Sequence, residues 1–491
     1  MTDVQISTRT IDHPARLSVE VVGAGYVGLV TSACLASLGH QIRCIDVNAD
    51  RIASLQRGEV PFSEPGLDAL VTDNLASGRL TFSTDVVEGA RGADMTLIAV
   101  GTLDGTGKWT DRHVQSVVTT LLAADDVPAL LVVRSTLRPG QMRLLNELVV
   151  DSGKATTLMV HPEFTKEGTA VADFLLPDRV VVGIPKGAPE QVADPIRALY
   201  ASVDAPVLVV DHASAELIKI GSNAFLATKI TFANELARFC RATGADMAAV
   251  RTGLGSDSRI GPAFLKTGPG FGGSCLPSQI DLLSAMSEEL GIAAEVIPAV
   301  HRFNLAQPAR IVDELFADGP APERVALLGL AFKANTDDLR ESPALKIAEA
   351  LRARGVTAIR AFDPVVGSLP NHPEIEVVAS CAEAVEAADA IIVATEWPEF
   401  FQLDWSQFTA TVAHRRIFDT RGVVSVPDAI AAGFTVHSLE RGSSYPLAAA
   451  LSVVGTGDAD AEDVVSDNLV RMTMPGASAD RGTRLTQATG D

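Results

Sequence analysis

Residues 268–279 read GPGFGGSCLPSQ and present one thiol, Cys275, behind a run in which five of the first seven residues are Gly or Pro. Ordering such a run is entropically costly. It marks either a tight turn ending in a small residue or a nucleophile held at the mouth of a cleft. The segment after the thiol, LPSQIDLLSAMSEEL, has helical character with Pro277 in its first turn. Cys275 is thereby placed at a helix N-terminus, where the dipole favours a thiolate. Lys219 and Asn223 stand four apart in a helical segment and share a face. A cation beside an amide donor suits a developing oxyanion, although such a pair by itself is more often a solvated helix face. HPEFTKEG puts Glu163 and Glu167 at the C-terminal end of a strand, where α/β sites collect functional groups. Either carboxylate taken singly is more often a surface charge.

A second constellation binds. VEVVGAGYVGLVTSACLASLG sets Gly23, Gly25 and Gly28 as G-x-G-x-x-G after a strand and before a helix, and Asp46 ends the next strand in CIDVN. Gly23 permits the tight turn, Gly25 admits a pyrophosphate to the backbone, and Gly28 allows close helix–strand packing. Asp46 accepts from a ribose diol and repels a 2′-phosphate, so NAD is expected and not NADP.

These groups need a scaffold. LSVEVVG, QIRCIDV, MTLIAVG, ALLVVRS and TTLMVHP are predicted buried parallel strands, and RVVVGIP and APVLVVD add two more. Alternation with amphipathic stretches predicts a doubly wound α/β sheet. SAELIKIGSNAFLATKITFANELARFCRAT keeps helical periodicity without a proline, as a helix that bridges domains or forms a dimer core does. Helical sequence continues to about 316, DGPAPERV is a linker, and RVALLGLAF, AIRAFDP, IEVVAS, AIIVATEW and RRIFDTRG predict a smaller α/β domain. The expected division is a flexible extension over 1–16, an NAD-binding Rossmann domain over 17–212, a central helical dimerisation domain with the thiol loop over 213–318, a C-terminal α/β domain over 319–454 and a disordered tail over 455–491.

A net charge of -21 argues against nucleic acid and anionic membranes as partners. No apolar run reaches the roughly 18 residues of a membrane span, and the N-terminus lacks an apolar signal core, so a cytoplasmic protein is expected. The cysteines at 34, 44, 240, 275 and 381 form neither a C-x-x-C pair nor a Cys/His cluster, which points away from disulfides and metal.

Taken together, GAGYVGLV, HPEFTKEGTAVADFLLPDRVVVG, AELIKIGSNAFLATKI, DSRIGPAFLKTGPGFGGSC, GLAFKANTDDLRESPAL and ATEWPEF resemble the nucleotide-sugar 6-dehydrogenases, from about residue 18 to about 440. The resemblance implies two Rossmann-like doubly wound domains joined by a long central helix and a helical dimerisation region, the first domain binding NAD and the last gripping UDP. It implies oxidation of a sugar C6 alcohol to a carboxylate with two NAD per turnover, UDP-glucose to UDP-glucuronate. In that reaction Cys275 forms a thiohemiacetal and then a thioester, which water hydrolyses. By the same resemblance Lys219 and Asn223 stabilise the oxyanion, Glu163 handles a water or a proton, and Thr136 belongs to that water network. Tyr26, Val27, Thr102, Ser135, Thr136 and Glu167 join Gly23, Gly25, Gly28 and Asp46 around the cofactor. Phe164, Phe264, Lys266, Gly272 and Lys333 join Lys219 and Asn223 around the nucleotide sugar. Arg259 reaches the substrate of a partner subunit in a homodimer or dimer of dimers. Arg340 lies in a matched stretch and is assigned no role.

The chain departs from the family pattern after the thiol. Where the family has Phe-Pro-Lys-Asp, this sequence has LPSQ, so Ser278 and Gln279 replace Lys and Asp. Gln279 can hydrogen-bond the hydrolytic water and cannot take its proton. Asp281 lies roughly 200° further around a helix and does not substitute. His161 stands for Asn, STLRPGQ for a Ser-Thr-Val-Pro run and Leu103 for Pro, all expected at the cleft's edges. Three alternatives stay open: the same chemistry on another NDP-hexose such as TDP-glucose, a two-electron dehydrogenase giving one NADH per sugar, and a catalytically silent nucleotide-sugar-binding protein. The last has only the lost Lys/Asp pair in its favour, and retention of Cys275, Lys219 and Asn223 weighs against it.

Overall fold

The computed structural model describes residues 16–104 and 109–444. The expected tail, and all of the expected N-terminal extension except Arg16, lie outside the described residues. The first sheet contains β1 (Ser18–Val22), β2 (Gln41–Ile45), β3 (Leu80–Ser83), β4 (Met95–Ile98), β5 (Leu130–Val133), β6 (Thr157–Val160), β7 (Val180–Ile184) and β8 (Val207–Asp211). Its order is β3-β2-β1-β4-β5-β6-β7-β8. β4 and β5 are buried along their whole length, as strands covered on both faces must be, and each fully buried Val, Leu or Ile contributes about 1.5–3 kcal/mol. The sheet is not parallel throughout. β7 meets β6 antiparallel through Val160 and Gly183, and β8 then runs parallel to β7. The physical reason is local. The segment between β6 and β7 stays at the edge where it presents Glu163 and Glu167, carries only the short helix Ala170–Leu175, and re-enters the sheet from that same edge. β3 was not among the predicted strands; its apolar–polar alternation runs for only four residues, too short to mark a strand by itself.

The second sheet contains β9 (Arg324–Leu328), β10 (Ala358–Phe362), β11 (Ile375–Val377), β12 (Ala390–Val393), β13 (Arg416–Asp419), β14 (Thr435–Ser438) and β15 (Gly442–Ser444). Its order is β11-β10-β9-β12-β13-β14-β15, with only the last pair antiparallel. β14 and β15 were not predicted. In each sheet the strand order reverses at one crevice, between β1 and β4 and between β9 and β12, and such a crevice at the strands' C-terminal ends is where ligands of open α/β sheets bind.

Between the sheets runs the helix His212–Thr243, started by Asp211, whose carboxylate accepts from Ser214 N–H, and ended by Gly244. At 32 residues it is about 48 Å long. Its buried face carries Ala215, Ile220, Ala224 and Ala227 together with Lys219. The small Ala224 and Ala227 let two further helices, Leu276–Glu289 and Val296–Ala317, pack against it. On its open face Phe225, Phe232 and Phe239 repeat every seven residues and stay exposed.

Candidate active site

The three glycines of the first turn divide the work. A Cβ on Gly23 would lie 2.5 Å from Ala99 O, and one on Gly28 would lie 1.8 Å from Gly23 O. Gly23 also has φ +106°, which disfavours other residues. A Cβ on Gly25 would meet nothing within 4 Å. Two glycines thus pack the turn, and the third leaves bare backbone at the N-terminus of the helix Tyr26–Ser37, which fits a pyrophosphate. Asp46 stands beside this turn. Its carboxylate accepts Ala24 N–H at 2.8 Å and Asn48 N–H at 2.9 Å and pairs with Arg51 at 3.2 Å. One of its roughly four acceptor positions is then left for a ribose hydroxyl. Val47, next in sequence, is 94% exposed. Ser135 donates to Val100 O at 2.7 Å, tying the loop after β5 to the end of β4 and setting the half-buried Thr136 at the same edge. Tyr26 and Val27 are half-buried in the turn, and the Tyr26 hydroxyl donates to Glu64.

Cys275 stands immediately before the helix Leu276–Glu289, as its sequence context requires. Why glycines surround it is a matter of clearance. A Cβ on Gly272 would lie 2.4 Å from Glu341 O, and one on Gly273 would lie 2.9 Å from the Phe332 ring. Gly273 N–H donates to Arg340 O at 2.9 Å. The thiol loop therefore presses its backbone against two points of the loop that follows β9. It is also clamped from behind: the Asn304 side chain accepts Phe271 N–H and donates to Phe271 O, Gln307 donates to Gly268 O, and Asn234 accepts Gly268 N–H. The expected lowering of the thiol pKa does not hold. Cys275 reaches solvent, but the protein packed around the sulfur desolvates it and pushes its pKa up; Lys219 opposes this, and the negative Glu163 and Glu167 add to it.

Lys219 and Glu163 form a buried ion pair at 2.7 Å. Thr165 completes the site by donating its N–H at 2.6 Å and its hydroxyl at 2.8 Å to Glu163. Burial alone would raise the Glu163 pKa, but the Lys219 charge and hydrogen bond outweigh it and hold the carboxyl below its ordinary value. The Phe164 ring lies under Lys219 Nζ at 5.4 Å and under Arg179 at 4.1 Å. Asn223 is half-buried and makes no side-chain hydrogen bond among the described residues, so its amide is available. Glu167 behaves oppositely to Glu163. Burial first, then the neighbouring Asp338, raise its pKa to about 7 against the pull of Arg340 and Lys333. Arg340 binds Asp338 at 2.7 Å and Glu167 at 3.2 Å, and one Glu167 oxygen is buried without a hydrogen-bond partner. Lys333 is half-buried near the Phe332 ring.

The remaining predicted residues lie apart from this cluster or on its rim. Arg259 is exposed and, among the described residues, engages only Asp257, and Lys266 is exposed. Phe264 is held at φ +63°, a strained conformation for a bulky side chain and a mark of functional loops. Thr102 lines a cavity of about 530 Å³ together with Ser278 and Asp281. His161 is not at the cleft's edge. It is buried in the core, bound at 2.8 Å to both Val181 O and the Tyr200 hydroxyl, and burial drives its pKa down to about 3. The Val181 carbonyl can only accept, so Nδ1 carries the proton and Nε2 accepts from Tyr200. Asp281 is taken up by His301 at 2.8 Å, while Gln279 is buried with its Oε1 unpartnered. Sequence reasoning passed over Glu64, Asn304 and Arg421. Arg421 follows β13 and donates to Ala394 O and Phe332 O. A polar residue in a helical or loop pattern gives no sign that a distant backbone needs it.

The G-x-G-x-x-G turn and the two sheets define the class, a dinucleotide-dependent α/β dehydrogenase with a second nucleotide-type domain. Residues 17–204 match the NAD binding domain of the UDP-glucose/GDP-mannose dehydrogenase family, 213–306 its central domain and 326–426 its UDP binding domain. The chain belongs to that family and is an NAD-dependent oxidoreductase with a nucleotide-sugar substrate. It is 39% identical to a UDP-glucose 6-dehydrogenase of Pseudomonas aeruginosa, over 86% of this chain and 97% of that one. It is 36% identical to the UDP-glucose 6-dehydrogenase YwqF of Bacillus subtilis, over 88% of this chain and 100% of that one. Among solved structures it is similar to a UDP-glucose dehydrogenase from Pyrobaculum islandicum, with TM-score 0.76 and 33% identity over 86% of this chain and 98% of that one. It is also similar to a UDP-D-ManNAc dehydrogenase from Pyrococcus horikoshii, with TM-score 0.74 and 28% identity over 86% and 99%.

Proposed function

We propose that the chain oxidises the C6 alcohol of UDP-glucose to the carboxylate of UDP-glucuronate, using two NAD per sugar. One observation carries this reading. Cys275 stands where the Arg340–Glu341 turn of the UDP binding domain meets a site whose charge is set by the buried Lys219–Glu163 pair. Oxidation to an aldehyde or ketone has no use for a nucleophile; oxidation to an acid does. The higher identity to proteins named for UDP-glucose than to the UDP-D-ManNAc enzyme supports the choice of sugar.

NAD, when bound, accepts the hydride of each oxidation. The rest falls to this chain. The Cys275 sulfur adds to the C6 aldehyde, the thiol proton passing to the carbonyl oxygen, which Lys219 and Asn223 stabilise. Loss of the C6 hydride and the hydroxyl proton leaves a thioester. Water then breaks the S–C bond, one proton returning to sulfur and the other going to a carboxylate. Glu167, with a pKa near 7, suits that role better than Glu163, which Lys219 keeps a weak base. Gln279 offers its unpartnered oxygen to the water one helical turn from Cys275. Phe164, Phe264, Lys266, Gly272 and Lys333 form the sugar-nucleotide wall, and Tyr26, Val27, Thr102, Ser135, Thr136 and Asp46 the cofactor wall. The exposed phenylalanine stripe supports a homodimer across the long helix, with Arg259 reaching the second copy's site. The domain limits 17–212, 213–318 and 319–454 belong to the same reading. Among the described residues no helix is long and apolar enough to cross a membrane. The five free cysteines support a cytoplasmic setting.

Incubation with UDP-glucose and NAD is expected to release two NADH per sugar, and Cys275→Ser to stop before the carboxylate. Undiminished UDP-glucuronate from that variant would remove the nucleophile, and one NADH per sugar the four-electron reading. Turnover of TDP-glucose alone would change the substrate, and no turnover with any NDP-hexose would favour a silent binder.

A further inference from the structure

The loop over residues 60–66 has no role in the chemistry proposed above, yet it grips Tyr26 from two sides. Phe62 packs on the Tyr26 ring with centroids 4.9 Å apart, and the buried Glu64 accepts the Tyr26 hydroxyl. The same carboxylate accepts Gly168 N–H at 2.6 Å and Ala170 N–H at 2.8 Å. Glu64 has no salt bridge among the described residues, so neutral donors alone hold this buried carboxylate, two of them backbone groups of the segment that begins one residue after Glu167. Gly168 is confined from the opposite side as well, because a Cβ there would lie 2.9 Å from Asn335 O. Residue 168 is thereby fixed between Glu64 and the loop that follows β9.

We propose that Glu64 is a positioning residue that fastens the dinucleotide turn to the loop bearing Glu163 and Glu167, so that the cofactor's seat and the carboxyls serving Cys275 hold one fixed geometry. It acts through Tyr26 and through the backbone at 168 and 170. Loss of its charge or reach strands a buried donor, which the segment relieves only by moving. The inference rests on the dehydrogenase reading above, but part of its test needs no sugar at all.

The test uses the full chain, with Glu64→Gln, Tyr26→Phe and the double variant. NAD affinity is measured by fluorescence titration, turnover at saturating NAD by NADH release across pH, and stability by thermal melting. Glu64→Gln is expected to weaken NAD binding about tenfold and Tyr26→Phe about threefold, a stranded or lost hydrogen bond being the cause in each. The double variant is expected to bind no more weakly than Glu64→Gln, since both changes break one contact. Turnover at saturating NAD is expected to fall in Glu64→Gln, with the acid limb of its pH profile displaced as the Glu167 surroundings relax. A lower melting temperature with unchanged NAD affinity, saturating turnover and pH limb would overturn the proposal, and so would multiplicative losses of affinity in the double variant. If Glu64→Gln does not fold, Tyr26→Phe, which keeps its ring on Phe62, decides on affinity and turnover alone. A wild-type chain that binds NAD but oxidises no sugar defeats the substrate reading and leaves the affinity arms intact.

Discussion

Glu163 and Glu167 stand on one loop with opposite proton affinities. Lys219 neutralises Glu163, whereas Glu167 is buried against a second carboxyl, Asp338. Glu163, with its pKa depressed, contributes stability present above the ordinary carboxylate range and lost as pH falls through the folded value. Glu167, with its pKa raised from 4.5 to about 7, favours the folded state most at acid pH, and that contribution declines as pH rises toward 7. If ionised Glu167 takes the hydrolytic proton, turnover rises with pH along a limb near 7. Asp338→Asn removes one cause of the raised pKa, so the limb is expected to shift to lower pH, read from kcat across pH 5–9, roughly the range that spans such a limb. A limb that stays in place would assign the proton to another group.

At the scale of elements, the first glycine turn and the thiol loop show two uses of a missing Cβ. Gly28 is a packing glycine, whereas a Cβ on Gly25 would meet nothing within 4 Å and the proposed role there is to admit the cofactor. Gly25→Ala is expected to keep the melting temperature of the parent within a few degrees while weakening NAD at least tenfold, since the added methyl meets no protein atom and stands where a pyrophosphate approaches. Gly28→Ala is expected to lose folded protein outright, because its methyl would lie 1.8 Å from a carbonyl oxygen. Melting curves beside NAD titrations separate the two, and equal destabilisation by both would contradict the division. The helix after Cys275 carries a related lesson. Its N-terminus favours a thiolate, but taking the sulfur out of water costs more than nearby positive charge returns.

Across the whole molecule, the long helix turns one face to the thiol and the other to solvent. Phe225, Phe232 and Phe239 lie along that open face with 65%, 52% and 63% exposure. Seven-residue spacing keeps them in one row, the arrangement that a second helix buries. Phe232→Glu is expected to turn a dimer into a monomer in light scattering at micromolar concentration, with loss of activity if Arg259 completes the site of the second copy. A wild-type chain that is already monomeric would dispose of both ideas.

The chain's own order of residues determined what depends on short-range pattern. The glycine turn before a helix, Asp46 after the second strand, the thirty-odd residues of uninterrupted helix and the thiol one residue ahead of another helix all follow from spacing and local backbone preference. Short strands such as β3 and β14, the reversal at β7, and the inward turn of His161 were decided only by folding, because pairing direction and burial depend on neighbours distant in the chain. The same holds for the charges. Opposite pKa shifts at Glu163 and Glu167, the raised thiol and the grip of Glu64 on Tyr26 arise from desolvation and from partners 56, 171 and 38 residues away, as with Lys219, Asp338 and Tyr26. Spacing along a chain fixes which groups are near one another on a helix or strand; only packing fixes which of them lose water and which find a counter-charge.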